Sequence, residues 1–153
     1  MTSPHLTCLL TGATNGIGQA GATALAEKGY TLFLTARSEH KAAQTETQIK
    51  ARVPQARIHW LMGDFSRLSD VDDIANEFLE SGASIDLLWL NAGICYNQYS
   101  LSEDGYEMMW AVNHLAPFRL TQRLFDRLCE GSCLLYTSPS PRDATLSRMP
   151  SSA

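Results

Sequence analysis

Four short apolar runs, each followed by a helical stretch, leave this chain few ways to fold. The runs are Leu6–Leu10, Thr31–Thr35, Arg57–Met62 and Ile85–Leu90, the last almost wholly apolar, as suits a strand buried on both faces. The periodicity between and after them predicts helices over Ile17–Lys28, with Gly29 as its stop, and over Glu39–Arg52. A third helix is expected from an N-cap signal at Ser69-x-x-Asp72 to about Ser81-Gly82, with Val71, Ile74, Ala75 and Phe78 on one face. A long one follows over Gly105–Leu128, bent at Pro117. In the first helix Ala20, Gly21 and Ala24 are small enough for close packing on a sheet. Strand and helix alternating four times predict an α/β fold, a doubly wound parallel sheet with helices on both faces and the first strand central.

Ligands in such sheets sit beyond the carboxyl ends of the strands. Here those ends carry Thr11-Gly12-Ala13-Thr14-Asn15-Gly16-Ile17-Gly18, then Ala36-Arg37-Ser38, then Gly63-Asp64-Phe65, then Asn91-Ala92-Gly93. The first is a glycine-rich turn running into a helix. Unpaired backbone N–H groups and the positive end of the helix dipole favour an anion there, and glycines let a phosphate approach the backbone. A lone turn of this kind says little. Four strand ends with small or polar residues say much more.

Composition narrows the partners. The net charge is -4 over 153 residues, which gives no footprint for nucleic acid or an anionic membrane. No apolar run is long enough to cross a bilayer, and Met1-Thr2-Ser3-Pro4-His5 lacks a secretory n-region, so a cytoplasmic protein is expected. Cys8, Cys95, Cys129 and Cys133 show no C-x-x-C or metal-ligand spacing and read as reduced thiols, with no metal expected. His59 and His114 read as structural, and Met108, Met109 and Trp110 as core or interface.

With those residues in view, the chain resembles the short-chain dehydrogenase/reductase family over about residues 6–128. T-G-x-x-x-G-x-G is that family's form of the dinucleotide loop. The resemblance implies a Rossmann domain in which Gly12, Gly16 and Gly18 hold the pyrophosphate, with Asn15 and Ile17 lining the site. It gives Asp64 the adenine amino group and Phe65 the surroundings of the ring, and sets Asn91, Ala92 and Gly93 beside the adenine ribose. It makes Asn113 the helix asparagine of the catalytic tetrad, holding a water in the proton relay. The context Asp104-Gly105-Tyr106-Glu107 … Asn113-His114-Leu115 is most similar to the retinol dehydrogenase-like branch. Ala36-Arg37 replaces the carboxylate that favours NAD, and a guanidinium pairs bidentately with a 2′-phosphate, so NADP is the expected cofactor, with Thr14 and Ser38 as further contacts. The family implies a small-molecule carbonyl or alcohol substrate for the full-length protein, and a homodimer through the long Gly105–Leu128 helix (the fifth helix of the family pattern).

Two features set this chain apart from the family pattern. Tyr30, Tyr96, Tyr99, Tyr106 and Tyr136 are followed four residues later by Leu34, Ser100, Glu103, Trp110 and Ser140, so no Tyr-x-x-x-Lys pair is present. The run Cys133–Asp143 matches in frame the translation of the transposase end and index-side adapter of a sequencing library, beginning TGT CTC TTA TAC. Ser147–Ala153 matches its continuation across an index-sized gap. The expectation is a Rossmann domain over 1–132, truncated after the fifth helix, with residues 133–153 adapter-derived. Such a fragment would be the inactive cofactor half of an NADP-dependent oxidoreductase. The alternatives are a non-catalytic nucleotide-sensing domain or a short structural or partner-binding protein.

Overall fold

A computed structural model describes residues 6–130 and the backbone of 134–137. The elements run β1 (Thr7–Leu10), α1 (Gly16–Glu27), β2 (Thr31–Ala36), α2 (Glu39–Arg52), β3 (Arg57–Met62), α3 (Leu68–Glu80) and β4 (Leu87–Leu90). Then come α4 (Met108–Trp110), a π-helical turn (Ala111–Leu115), α5 (Ala116–Arg123), α6 (Phe125–Cys129) and β5 (Leu134–Thr137). The sheet order is β3-β2-β1-β4-β5, with every pairing parallel and β1 central. β5 lies on residues that the sequence reading placed outside the domain, and it extends the sheet one strand past the expected end. A parallel edge left open by β4 pairs with any adjacent extended apolar segment, and Leu-Leu-Tyr-Thr is one.

Alternation along the strands builds two cores. Leu9, Phe33, Leu61 and Leu88 face one side and join Val71, Ile74, Phe78, Val112, Leu120 and Leu124. Cys8, Leu10, Leu32 and Leu34 face the other and join Ala22, Ala26, Ile49 and Val53. A sheet covered on both faces needs apolar residues at successive positions, hence the near-continuous runs in the sequence.

Several boundaries differ from expectation. β4 starts at Leu87 rather than Ile85; Asp86 just before it is tied to the start of β1, its N–H donating to the Thr7 carbonyl at 3.0 Å and its carboxylate accepting from the Thr7 N–H at 2.7 Å. On α1 the buried positions are Gly18, Ala22 and Ala26, whereas Ala20 and Ala24 face solvent. Gly21 does pack on the sheet, since a Cβ there would lie 2.5 Å from the Trp89 ring. Ser69 does not cap α3; the N-cap position is Arg67, which makes no side-chain cap bond. The long helix expected over Gly105–Leu128 is three helical pieces with a π turn between the first two. Pro117 lacks an N–H, so the Asn113 carbonyl has no α-helical donor, and the turn widens just before the proline.

Candidate functional site

The glycine turn after β1 uses its three glycines for three different reasons. Gly12 has φ +70 and lies under the β4 end, where a Cβ would sit 2.8 Å from the Ala92 Cα. Gly16 has φ +50 and open space where its Cβ would be. Gly18 is packed so tightly that a Cβ would lie 2.2 Å from the Gly12 carbonyl oxygen and 2.6 Å from Asn91 Nδ2. Asn15 is the N-cap of α1, and its Oδ1 accepts from the Gly16 N–H at 2.8 Å. The remaining first-turn N–H groups of α1 have no partner inside the helix.

The turn is bolted to β4 and β2. Buried Thr11 accepts through Oγ1 from the N–H groups of Asn91 at 2.9 Å and Ala92 at 3.0 Å. Asn91 Nδ2 donates back to the carbonyls of Thr11 and Gly12, both at 3.2 Å. The Gly12 N–H donates to Thr35 Oγ1 at 3.3 Å. Asn91 therefore holds the loop from below, which explains an amide at a strand end better than a solvent-facing role does.

The ends of β2 and β3 complete the walls. Ser38 caps α2 and accepts from the Lys41 N–H at 3.4 Å, so the first turn of α2 places Arg37, Ser38 and Lys41 on one rim. After β3, Asp64 Oδ1 accepts from the Ser66 N–H at 2.9 Å, and the Asp64 N–H donates to Asp70 Oδ2 at 2.9 Å. That N–H, followed by Arg67, holds the Asp70 carboxyl below its ordinary pKa against the opposing effect of burial. Phe65 is 8% exposed and joins both the cavity wall and the core.

Together these ends enclose a cavity of about 480 Å³. Of the residues expected at the site, Gly12, Thr14, Asn15, Gly16, Arg37, Ser38, Asp64, Phe65, Asn91, Ala92 and Gly93 line it. Ile17 and Gly18 do not: Ile17 is 75% exposed, and Gly18 is buried beneath the loop it shapes. Asn113 stands beside the cavity, its Oδ1 accepting from the Ile94 N–H and its Nδ2 donating to the Ile94 carbonyl, both at 2.8 Å.

The sequence reading missed other walls. Lys41 adds a second cation near Arg37, while Ile94, Tyr96, Met108 and Val112 supply an apolar side. Met108 and Val112 are four apart and just precede Asn113, a spacing that could have signalled a shared helix face. Among the described residues no group of three or more His, Cys, Asp or Glu is arranged to hold a metal, and no helix is long and apolar enough to cross a membrane.

Comparison with known proteins agrees with this geometry. A short chain dehydrogenase family model matches residues 6–133. A chloroplastic short-chain dehydrogenase, TIC 32 B of Brassica napus, is 36% identical over 124 residues, which is 81% of this chain and 39% of that protein. Human retinol dehydrogenase 13 is 32% identical over 127 residues, 83% of this chain and 38% of that protein. The crystal structure of an alcohol dehydrogenase from the archaeon Thermococcus sibiricus, complexed with 5-hydroxy-NADP, superposes with a TM-score of 0.75 at 29% identity. It covers 87% of this chain and 57% of that one. The chain thus spans about two-fifths of the length of the curated relatives it matches.

Proposed function

The chain belongs to the short-chain dehydrogenase family, and from that premise we propose that it is the cofactor-binding half of an NADP-dependent oxidoreductase acting on a carbonyl or alcohol substrate. The observation that carries the reading is the β2 rim. Arg37 and Lys41 stand there with no ion-pair partner among the described residues, and the cavity's one lining carboxylate, Asp64, belongs to the β3 end. Two cations at the N-terminus of α2 suit a 2′-phosphate dianion, and a carboxylate in their place would repel it. The complex of the Thermococcus enzyme with 5-hydroxy-NADP supports the same reading.

The residues fit that group elsewhere too. The open space over Gly16 and the α1 N-terminus form a cradle for a pyrophosphate. Asp64 offers an acceptor to an adenine amino group, and Phe65, Met108 and Val112 offer an apolar bed to its ring. When bound, NADP(H) supplies or takes up the hydride in carbonyl–alcohol interconversion. The Asn113 carbonyl, left without an α-helical donor by Pro117, can hold a water for proton relay. The chain has no Tyr-x-x-x-Lys pair to finish that relay and is proposed to be inactive alone. Thiols outside any disulfide at Cys95 and Cys129 suit a reducing compartment such as the cytoplasm.

The test is cofactor preference in the full-length protein. Arg37→Ala should weaken NADPH binding by roughly tenfold or more, the worth of a charge-assisted contact, and leave NADH binding nearly unchanged. Equal losses for both would sink the assignment. We further propose that residues 133–153 derive from a sequencing adapter. Genomic DNA encoding Leu-Leu-Tyr-Thr-Ser-Pro after Ser132 would refute it.

A further inference from the structure

The 94–108 segment carries Ile94, Tyr96 and Met108 to the cavity wall, and between β4 and α4 it contains no helix. Its start is tied to Asn113 through the two Ile94 hydrogen bonds, and a second anchor is the entrance of α3. Arg67, at the N-cap of α3, makes no side-chain cap bond. The Leu68 N–H donates instead to Asp104 Oδ2 at 2.8 Å, a partner 36 residues along the chain. Arg67 Nη1 also reaches Glu103 Oε1 at 3.5 Å.

Asp104 is presented by a turn built for the purpose. The N–H of Ser102 donates to the Tyr106 carbonyl at 2.8 Å, and the Gly105 N–H donates to the Ser102 carbonyl at 3.0 Å. Gly105 takes φ +81, and Ser102 is buried with its Oγ accepting from the Tyr106 N–H at 3.3 Å. On the other side, the same α3 entrance is tied to the β3 end. The Arg67 N–H donates to the Asp64 carbonyl at 3.0 Å. Asp70 Oδ2 accepts from both the Asp64 N–H and Arg67 Nη2, each at 2.9 Å.

We propose that Asp104 is a positioning residue for the dinucleotide: by capping α3 from a distant turn, it fixes the 94–108 wall against the turn that bears Asp64 and Phe65. The functional part of this inference rests on reading the cavity as a dinucleotide site. The structural part does not. A cap supplied from within α3 would stabilise that helix equally well. A cap supplied by Asp104 also sets the position of one wall relative to another.

Hydrogen–deuterium exchange on the 153-residue chain separates these roles. Asp104→Ala should speed exchange over 94–101 by about tenfold, the factor expected for one lost hydrogen bond to a charged group. Asp104→Asn keeps an acceptor oxygen and should stay close to wild type. Leu68→Pro removes the donor instead. Proline is favoured at the first position of a helix, and Arg67 already has the extended backbone (φ -122, ψ 120) that a following proline requires, so α3 should persist. Leu68→Pro should therefore free 94–101 as Asp104→Ala does while α3 amides stay protected. If 94–101 keeps wild-type exchange in both variants, the proposal fails.

In the full-length protein, Asp104→Ala and Leu68→Pro should both raise the NADPH Kd severalfold, and Asp104→Asn should not. Faster exchange with an unchanged NADPH Kd would overturn the positioning role while leaving the cofactor reading intact. Failure of the wild-type full-length protein to bind NADPH at all would overturn the cofactor reading and leave the exchange result standing.

Discussion

At the residue scale, the glycine turn makes a graded prediction. Gly18→Ala must push a methyl into the Gly12 carbonyl and Asn91, and Gly12→Ala adds left-handed strain to a clash with backbone of Ala92. Gly18→Ala should destabilise the fold by about 1–3 kcal/mol through overpacking, and Gly12→Ala by about 2–4 kcal/mol because the cost of an unfavourable φ is added. Gly16→Ala carries strain alone, since its Cβ would meet nothing, and should cost only about 1 kcal/mol. Its larger effect should be on nucleotide affinity, because the methyl projects into the proposed phosphate cradle. Denaturant unfolding of the three variants checks the order, and a Gly16→Ala as damaging as Gly18→Ala would refute it. The three glycines were legible in the sequence as a spacing. Their separate reasons were not, because each depends on what lies across the sheet: Ala92 over Gly12, Asn91 over Gly18, nothing over Gly16. The same holds for Lys41. Its proximity to Arg37 follows from Ser38 starting α2 at that point, and a reading that stopped at the strand end passed over it.

At the element scale, α3 and the α5–α6 pair are joined by arginines spaced four apart. Arg119 makes a fork on Asp72, with Nε and Nη2 at 2.9 and 3.0 Å from its two oxygens, and Arg123 Nε lies 3.4 Å from the same carboxylate. Arg123 also donates to Asn76, and Arg127 donates to the carbonyls of Gly82 and Ala83 just past the end of α3. Arg119 holds the Asp72 carboxyl below its ordinary pKa, chiefly through that hydrogen bond and against the effect of burial. A carboxyl whose folded pKa is depressed adds stability above its unfolded pKa of roughly 3.9 and loses it as pH falls through the lower folded value. Asp72→Asn should therefore lower stability near neutral pH by up to about 1 kcal/mol, the range for a partly exposed pair. The difference from wild type should vanish in strong acid, which thermal melts across that range would reveal. A difference that persists in acid would place the effect in packing instead. None of these pairings was readable from local sequence, since Arg119 and Asp72 are 47 residues apart. The helices themselves were readable from their period, with Glu39–Arg52 matching to the residue. The misplaced Ser69 cap has the same origin as the unread pairings: the true acceptor for α3 is Asp104, supplied from another part of the chain.

At the scale of the whole molecule, the parallel sheet was legible because two-sided burial is written directly into the apolar runs, and the central place of β1 followed from right-handed crossovers. What the sheet does not cover is a ridge on the far side of the α4–α5 region. Trp110, His114 and Phe118 follow at four-residue spacing with their rings stacked, 4.1 Å between the first pair of centroids and 6.4 Å between the second. Trp110 is 50%, Phe118 60% and Phe125 59% exposed. A two-fold axis would lay this row of rings on that of another copy. We propose a homodimer through this helix. Covering each large ring is worth roughly 1.5–3 kcal/mol, so Trp110→Ser with Phe118→Ser should weaken association by about a hundredfold or more. Sedimentation velocity on the chain and on the double variant provides the measurement. A concentration-dependent dimer that the two substitutions abolish is the expected result, and a wild-type chain that stays monomeric at high micromolar concentration would rule the interface out. His114→Ala offers a finer check, because that ring lies between the other two. Its loss should weaken the dimer without touching the buried core on the opposite face of the helix, where Val112, Ala116 and Leu120 pack.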